Sequence, residues 1–166
     1  MKIHFKKLIY CLFMVFAAMA IGGYYNNAGV ASWYQNLTKP VATPPDEIFP
    51  IVWTVLYLMM ALAFYFAFVK EPSDEKCRRL NAWFITMLFL HILWSYAFFY
   101  IGYLGIALAV VIFIDILSYM IMMEFWHISK LSAWLFVPYF VWILFATYLN
   151  AAFINLNDYI IVIEQS

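Results

Sequence analysis

The sequence predicts an all-α membrane protein, a bundle of five transmembrane helices with a Pro-rich loop between helices 1 and 2. Three observations lead there. The 166-residue chain is 68% hydrophobic and only 11% charged, with a mean hydropathy of +0.89. A domain of this size keeps much of its surface outside, so this much apolar area needs lipid around it rather than water. Five windows are long and apolar enough to cross a bilayer as helices, which takes ~20 residues each. They fall at about 7–25, 48–69, 80–100, 104–126 and 131–154. None shows the strict alternation of a barrel strand, and a helix satisfies its own backbone hydrogen bonds in lipid.

Residues 1–166 read as a single domain, with no room for a soluble module beside the helices. The first window follows Lys2, Lys6 and Lys7 and stays apolar from Leu8 to Tyr25. That run is too long for a signal-peptide core, and Gly22 and Gly23 form no clean cleavage site. It is read as the first span. The connection over residues 26–47 carries Lys39-Pro40 and Thr43-Pro44-Pro45, whose fixed φ stiffens the chain as it approaches the second helix. Pro50 then falls in that helix's first turn, where a missing N–H matters little. The second connection, over residues 70–79, is short and highly charged. The third, around residues 101–103, is tight and glycine-flanked, and the fourth, around 127–130, is also tight. Pro138 lies inside the fifth window as a candidate kink.

Lys2, Lys6, Lys7, Lys70, Lys76, Arg78, Arg79 and Lys130 fall on the side of the N-terminus, and only Lys39 on the other. Basic residues favour the cytoplasmic side, so the N-terminus is expected in the cytoplasm and the C-terminus outside. Net charge is zero and no basic stripe exists, which argues against a nucleic-acid partner. Cys11 and Cys77 are far apart and fit no disulfide or metal pattern. No nucleophile–His–acid set and no metal cluster supports hydrolase chemistry.

Aromatic residues concentrate on particular helix faces. Phe49, Trp53 and Tyr57 lie four apart and share one face, and Tyr139, Trp142 and Ala146 share another. Packing or an interfacial aromatic belt accounts for any single ring equally well. Depth separates these readings. His91 and Asp115 are equidistant from the turn at Tyr103, at roughly 18 Å from it by the helical rise, near mid-bilayer. Reflection through the next turn brings Trp142 level with them. Trp53 and Asn150 fall nearer the outer face. Asp115 is the one carboxylate deep in an apolar run, so it needs a partner, a proton or the bundle interior. His91 at equal depth is the candidate partner.

Three stretches carry a distinctive pattern: Trp33-Tyr34, Lys39-Pro40, Thr43-Pro44-Pro45, Phe49-Pro50, Trp53 and Tyr57; Leu90-His91-Ile92-Leu93-Trp94-Ser95 with Phe98-Phe99; and Pro138-Tyr139, Trp142, Phe145-Ala146, Leu149-Asn150 and Leu156-Asn157. In this order and spacing they resemble the TspO/MBR family, the tryptophan-rich sensory or translocator proteins, over about residues 30–157. The resemblance is to the bacterial branch. It implies an inner-membrane five-helix bundle, usually a homodimer, with a pocket under the first loop that binds porphyrins and related rings. Some family members degrade protoporphyrin with light and oxygen, and the animal branch binds sterols. The Leu/Val–Tyr–Lys/Arg sterol pattern is absent near this C-terminus. His91 also departs from the family, which usually has Asn at this position.

The motif stretches and the depth estimate together give the candidate ligand-binding set: Tyr34, Pro44, Phe49, Trp53, Tyr57, His91, Trp94, Ser95, Phe98, Asp115, Trp142, Phe145, Ala146 and Asn150. Porphyrin or heme is the expected ligand, with no cofactor required. Three readings follow: a tetrapyrrole-binding sensor, an enzyme of photo-oxidative porphyrin degradation with Trp53 and Trp142 as redox-active rings, and a porphyrin or small-molecule transporter. The last has neither inverted repeats nor broken mid-membrane helices behind it.

Overall fold

The structure is a computed structural model and describes residues 4–157. Five helices follow in chain order: α1 (Phe5–Val30), α2 (Ile48–Lys70), α3 (Asp74–Ser95, continued by a π turn over Tyr96–Tyr100), α4 (Leu104–Ile128) and α5 (Lys130–Leu156). A short 3₁₀ turn, Tyr34–Asn36, interrupts the connection from α1 to α2. All five helices are long and apolar enough to cross a membrane, and no strand occurs among the described residues. This is the all-α five-span architecture expected from composition.

Two boundaries differ from the sequence expectation. α3 begins at Asp74 rather than near residue 80. Ser73 caps it by accepting the Lys76 amide at 3.4 Å, and Asp74 and Glu75 sit in the first turn, where negative charge complements the helix dipole. The charged stretch is therefore mostly helix, and Glu71–Ser73 make the connection. α1 runs on through Asn26 and Asn27 to Val30. Pro138 lies inside α5, which continues without interruption from Lys130 to Leu156.

The half of the bundle nearest the N-terminus is filled by phenylalanine. Phe64 stacks on Phe84 at 4.1 Å and meets the edge of Phe125 at 4.9 Å. Phe136 closes the group at 5.4 Å from Phe125. All four are fully buried. Polar ties lock the same end: Tyr10 donates to Asn81 at 2.6 Å, Lys7 donates to the Phe68 carbonyl, and Arg79 pairs with Glu124 at 2.7 Å.

The opposite half is organised around the end of α3. There the Ile101 amide reaches back five residues to the Tyr96 carbonyl at 3.0 Å, widening the last turn. Gly29 of α1 lies directly against this turn. A Cβ on Gly29 would run into the Phe99 carbonyl, so only glycine lets the two backbones come this close. Gly102 takes φ +72°, the left-handed conformation that lets the chain turn sharply into α4.

Candidate functional site

Above the phenylalanine core, α2, α3, α5 and the first connection enclose a cavity walled almost entirely by aromatic rings. Its lining is Tyr34, Phe49, Trp53, Trp94, Phe98, Phe99, Trp142, Phe145, Ala146, Leu149, Asn150 and Phe153. The free space at its centre is about 40 Å³, room for roughly three or four waters at ~10–15 Å³ each on this measure. A flat ring therefore fits only after the rings part.

Trp53 occupies the centre. Its ring lies 6.5 Å from Trp94 and 6.5 Å from Trp142, edge-on to the latter. Phe49, one turn earlier on α2, meets the Trp142 edge at 6.1 Å. The wall opposite is fixed by Asn150, which accepts from the Trp94 indole N–H at 3.2 Å and donates to the Leu104 carbonyl at 2.9 Å. Asn150 thus holds α3, α4 and α5 in register, and its amide is already spoken for.

The first connection closes the top. Trp33 donates its indole N–H to the Phe99 carbonyl at 2.7 Å, satisfying an acceptor that the end of α3 leaves free. Tyr34 packs among Phe98, Phe99 and Phe153 at 5.4–6.3 Å. Burial, with the Asp46 charge adding to it, pushes the Tyr34 phenol up to about 12. Lys39 lies over the Tyr34 ring at 4.7 Å and pairs with Asp46 at 2.8 Å. That hydrogen bond from Lys39 holds the Asp46 carboxyl below its usual range. Thr38 and Asn157 exchange two hydrogen bonds, of 2.8 and 3.1 Å.

Several residues expected in the lining lie elsewhere. His91 and Tyr57 sit one layer beneath, with ring centroids 5.5 and 5.6 Å from Trp53. His91 shares a 2.7 Å hydrogen bond with the Tyr139 hydroxyl, which lies 3.3 Å from the Ser118 hydroxyl. The expected His91–Asp115 pair does not form. Asp115 faces the seam between α4 and α5 and accepts from the Thr147 hydroxyl at 2.7 Å. Its other oxygen is enclosed without a partner. Ser95 faces α1, its hydroxyl 3.2 Å from where a Cβ on Gly22 would stand. Pro44 belongs to the connection but not to the cavity wall. Conversely, Phe99, Leu149 and Phe153 line the cavity without having been singled out. Phe153 lies one turn beyond Leu149–Asn150 and was visible in the helical spacing. Phe99 was visible only beside Phe98.

Chemically, the cavity can stack on a flat ring and cover it. Its lining offers indole N–H groups, one phenol and one committed amide, and no Lys, Arg, His, Asp or Glu. Among the described residues no group of three His, Cys, Asp or Glu side chains is placed to hold a metal.

Fold and site together define a multi-pass membrane protein whose half away from the N-terminus holds a tryptophan-rich cavity. The TspO/MBR family pattern matches residues 10–156, and the chain belongs to that family. It is 35% identical over 151 residues to the tryptophan-rich protein TspO of Archaeoglobus fulgidus, covering 91% of this chain and 97% of that one. It is 35% identical over 125 residues to the tryptophan-rich sensory protein of Cereibacter sphaeroides, covering 75% and 77%. The human translocator protein matches at 30% over 120 residues, covering 71% and 70%.

Proposed function

We propose that the protein is a membrane sensor that binds a tetrapyrrole, or a similar flat hydrophobic ring, among Trp53, Trp94 and Trp142. The observation that carries this is the aromatic cavity without charged groups. Indole faces stack on a macrocycle, and their N–H edges suit its polar rim. The reading needs no resident cofactor; porphyrin or heme is the ligand. His91 is not offered as an iron ligand, because Tyr139 already engages its Nε2. The basic residues at the N-terminal end support an N-terminus in the cytoplasm and a C-terminus outside, and the likeness to bacterial members of the family supports a bacterial inner membrane as the site. Family membership supports a homodimer.

The test mixes purified protein with protoporphyrin in the dark and follows tryptophan fluorescence. Saturable quenching is the expected result, weakened in Trp53→Phe. Its absence refutes the reading. A second reading, photo-oxidative breakdown of the bound ring, draws support from the 6.5 Å approach of Trp53 and Trp142. It predicts loss of the porphyrin absorption bands in light and air that is abolished in Trp53→Phe or Trp142→Phe. An unchanged spectrum under illumination leaves binding alone.

A further inference from the structure

The cavity has two kinds of boundary, and they are built differently. Toward the water, the first connection is fastened by hydrogen bonds: Trp33 to the Phe99 carbonyl, Thr38 and Asn157 to each other in both directions, and Lys39 to Asp46. Beneath it Tyr34 is only 4% exposed. The seam between α3 and α5 is tied by Trp94 to Asn150, and α1 is pressed onto α3 through Gly29. The seam between α2 and α5 lacks such ties. Among the described residues no hydrogen bond joins these two helices. At cavity level they meet through the ring edges of Phe49, Trp53 and Trp142.

With Phe99 at the end of α3, the lining residues on this seam are the ones that reach the perimeter. Phe49, Trp53, Trp142, Phe145 and Ala146 are all part-exposed, whereas Tyr34, Trp94, Phe98, Leu149 and Phe153 are buried. Ala146 presents only a methyl to the cavity. On the outer faces of the same two helices Ile51, Val55, Val141 and Tyr148 are each more than half exposed. Both helices therefore present apolar surface of the kind that suits lipid.

We infer that the ring ligand crosses into the cavity sideways, between α2 and α5, with Phe49 and Trp142 as the parting pair. The ligand is accordingly a ring that partitions into the bilayer, not one captured from water through the first connection. Parting two ring edges breaks no hydrogen bond, whereas raising the connection breaks several and uncovers Tyr34. This rests on the ring-ligand reading above.

The experiment follows protoporphyrin association with full-length protein in lipid nanodiscs by stopped-flow tryptophan quenching. One variant staples the connection shut: Thr38→Cys with Asn157→Cys in a Cys77→Ser background, oxidised to the disulfide. The other, Phe49→Ala, removes one leaf of the α2–α5 gate. The stapled protein is expected to bind at the unstapled rate within about twofold and with the same final quenching. Phe49→Ala is expected to raise association and dissociation together, each by up to about tenfold, the scale of one aromatic pair. A tenfold or greater slowing on stapling, reversed by reduction, overturns the sideways route. Unchanged rates in Phe49→Ala overturn it too, and that variant decides alone if the disulfide fails to form. Absence of quenching in the unmodified protein removes the ring-ligand reading itself, and the route with it. Full quenching with slowed stapled protein removes only the route.

Discussion

Deleting the hydroxyl of Tyr139 is a sharp probe of the layer beneath Trp53. That hydroxyl joins His91 at 2.7 Å and Ser118 at 3.3 Å, where Tyr139 is 0% and His91 2% exposed. Tyr139→Phe keeps the ring and its 4.8 Å contact with Phe136, so packing barely changes and hydrogen bonding is what is lost. Interhelical hydrogen bonds inside membranes average ~0.6 kcal/mol and reach ~1.7 kcal/mol. A short, fully enclosed bond belongs at the top of that range, so the expected loss is about 1.5 kcal/mol. A double-mutant cycle with His91→Leu isolates the pair. Unfolding by dodecyl sulfate in mixed micelles, read by tryptophan fluorescence, should give a coupling of about 1 kcal/mol or more between His91 and Tyr139. The same cycle between His91→Leu and Asp115→Asn should be additive within ~0.5 kcal/mol, because these two residues do not touch. A His91–Asp115 coupling larger than the His91–Tyr139 coupling would refute the reasoning.

Other outcomes follow from single residues. Gly29→Ala should abolish stable folding, since its Cβ collides with the Phe99 backbone, while Gly23→Ala, with nothing within 4 Å of the added methyl, should leave the melting temperature within about 2 °C; equal melting of the two variants contradicts the close approach. Asn150→Leu strands both the Trp94 N–H and the Leu104 carbonyl and should cost about 2–4 kcal/mol in the same micelle assay; a loss under ~0.5 kcal/mol, within surface-substitution noise, argues against its bridging role. The Lys39–Asp46 tie is fully present above the ordinary Asp pKa of ~3.9 and is lost as the pH falls through the lowered value of folded Asp46. Amide exchange across residues 38–47, corrected for the intrinsic chemical rate, should therefore quicken only at the acid end, and modestly, because the pair is partly exposed. Protection that stays flat down to about pH 2, well below that ordinary value, counts against the tie.

The spans were legible because the bilayer asks only for length and apolarity, and Leu104–Ile128 or Ile48–Lys70 meet that plainly. The start of α3 was not, because Asp74–Arg79 continue the helix beyond the apolar run; Ser73 followed by Asp74 and Glu75 is the signal that marks it. Rotation about each helix axis was harder. In water an amphipathic stripe tells which face turns inward, but in lipid the outward face is as apolar as the inward one. Reflection through the turns compared His91, Asp115 and Trp142 by depth alone. Nothing in that estimate could tell that Asp115 turns toward Thr147 while Trp142 turns into the cavity. Among the residues of the family pattern Trp53, Trp94, Phe98 and Asn150 line the cavity, whereas Tyr57 and Ser95 do not. The His91 side chain reaches past the wall to Tyr139.

The π turn at Tyr96–Tyr100 has a consequence for how this chain tolerates change in length. A regular helix advances about 100° per residue, so Trp94 and Phe98 would share a face and Phe99 would point well to one side. The wider turn accommodates one residue more, and Phe98 and Phe99 straddle the same wall. Deleting one residue here would let the turn close as an ordinary helical one, and because the wide turn absorbs the extra residue, the chain beyond it would keep roughly its angular position. A deletion one turn earlier, within the regular part of α3, has no such slack and would rotate all that follows by about 100°. A one-residue gap at this place in an alignment of relatives therefore marks chains that have dropped the wide turn, with Phe98 and Phe99 no longer both set on the wall.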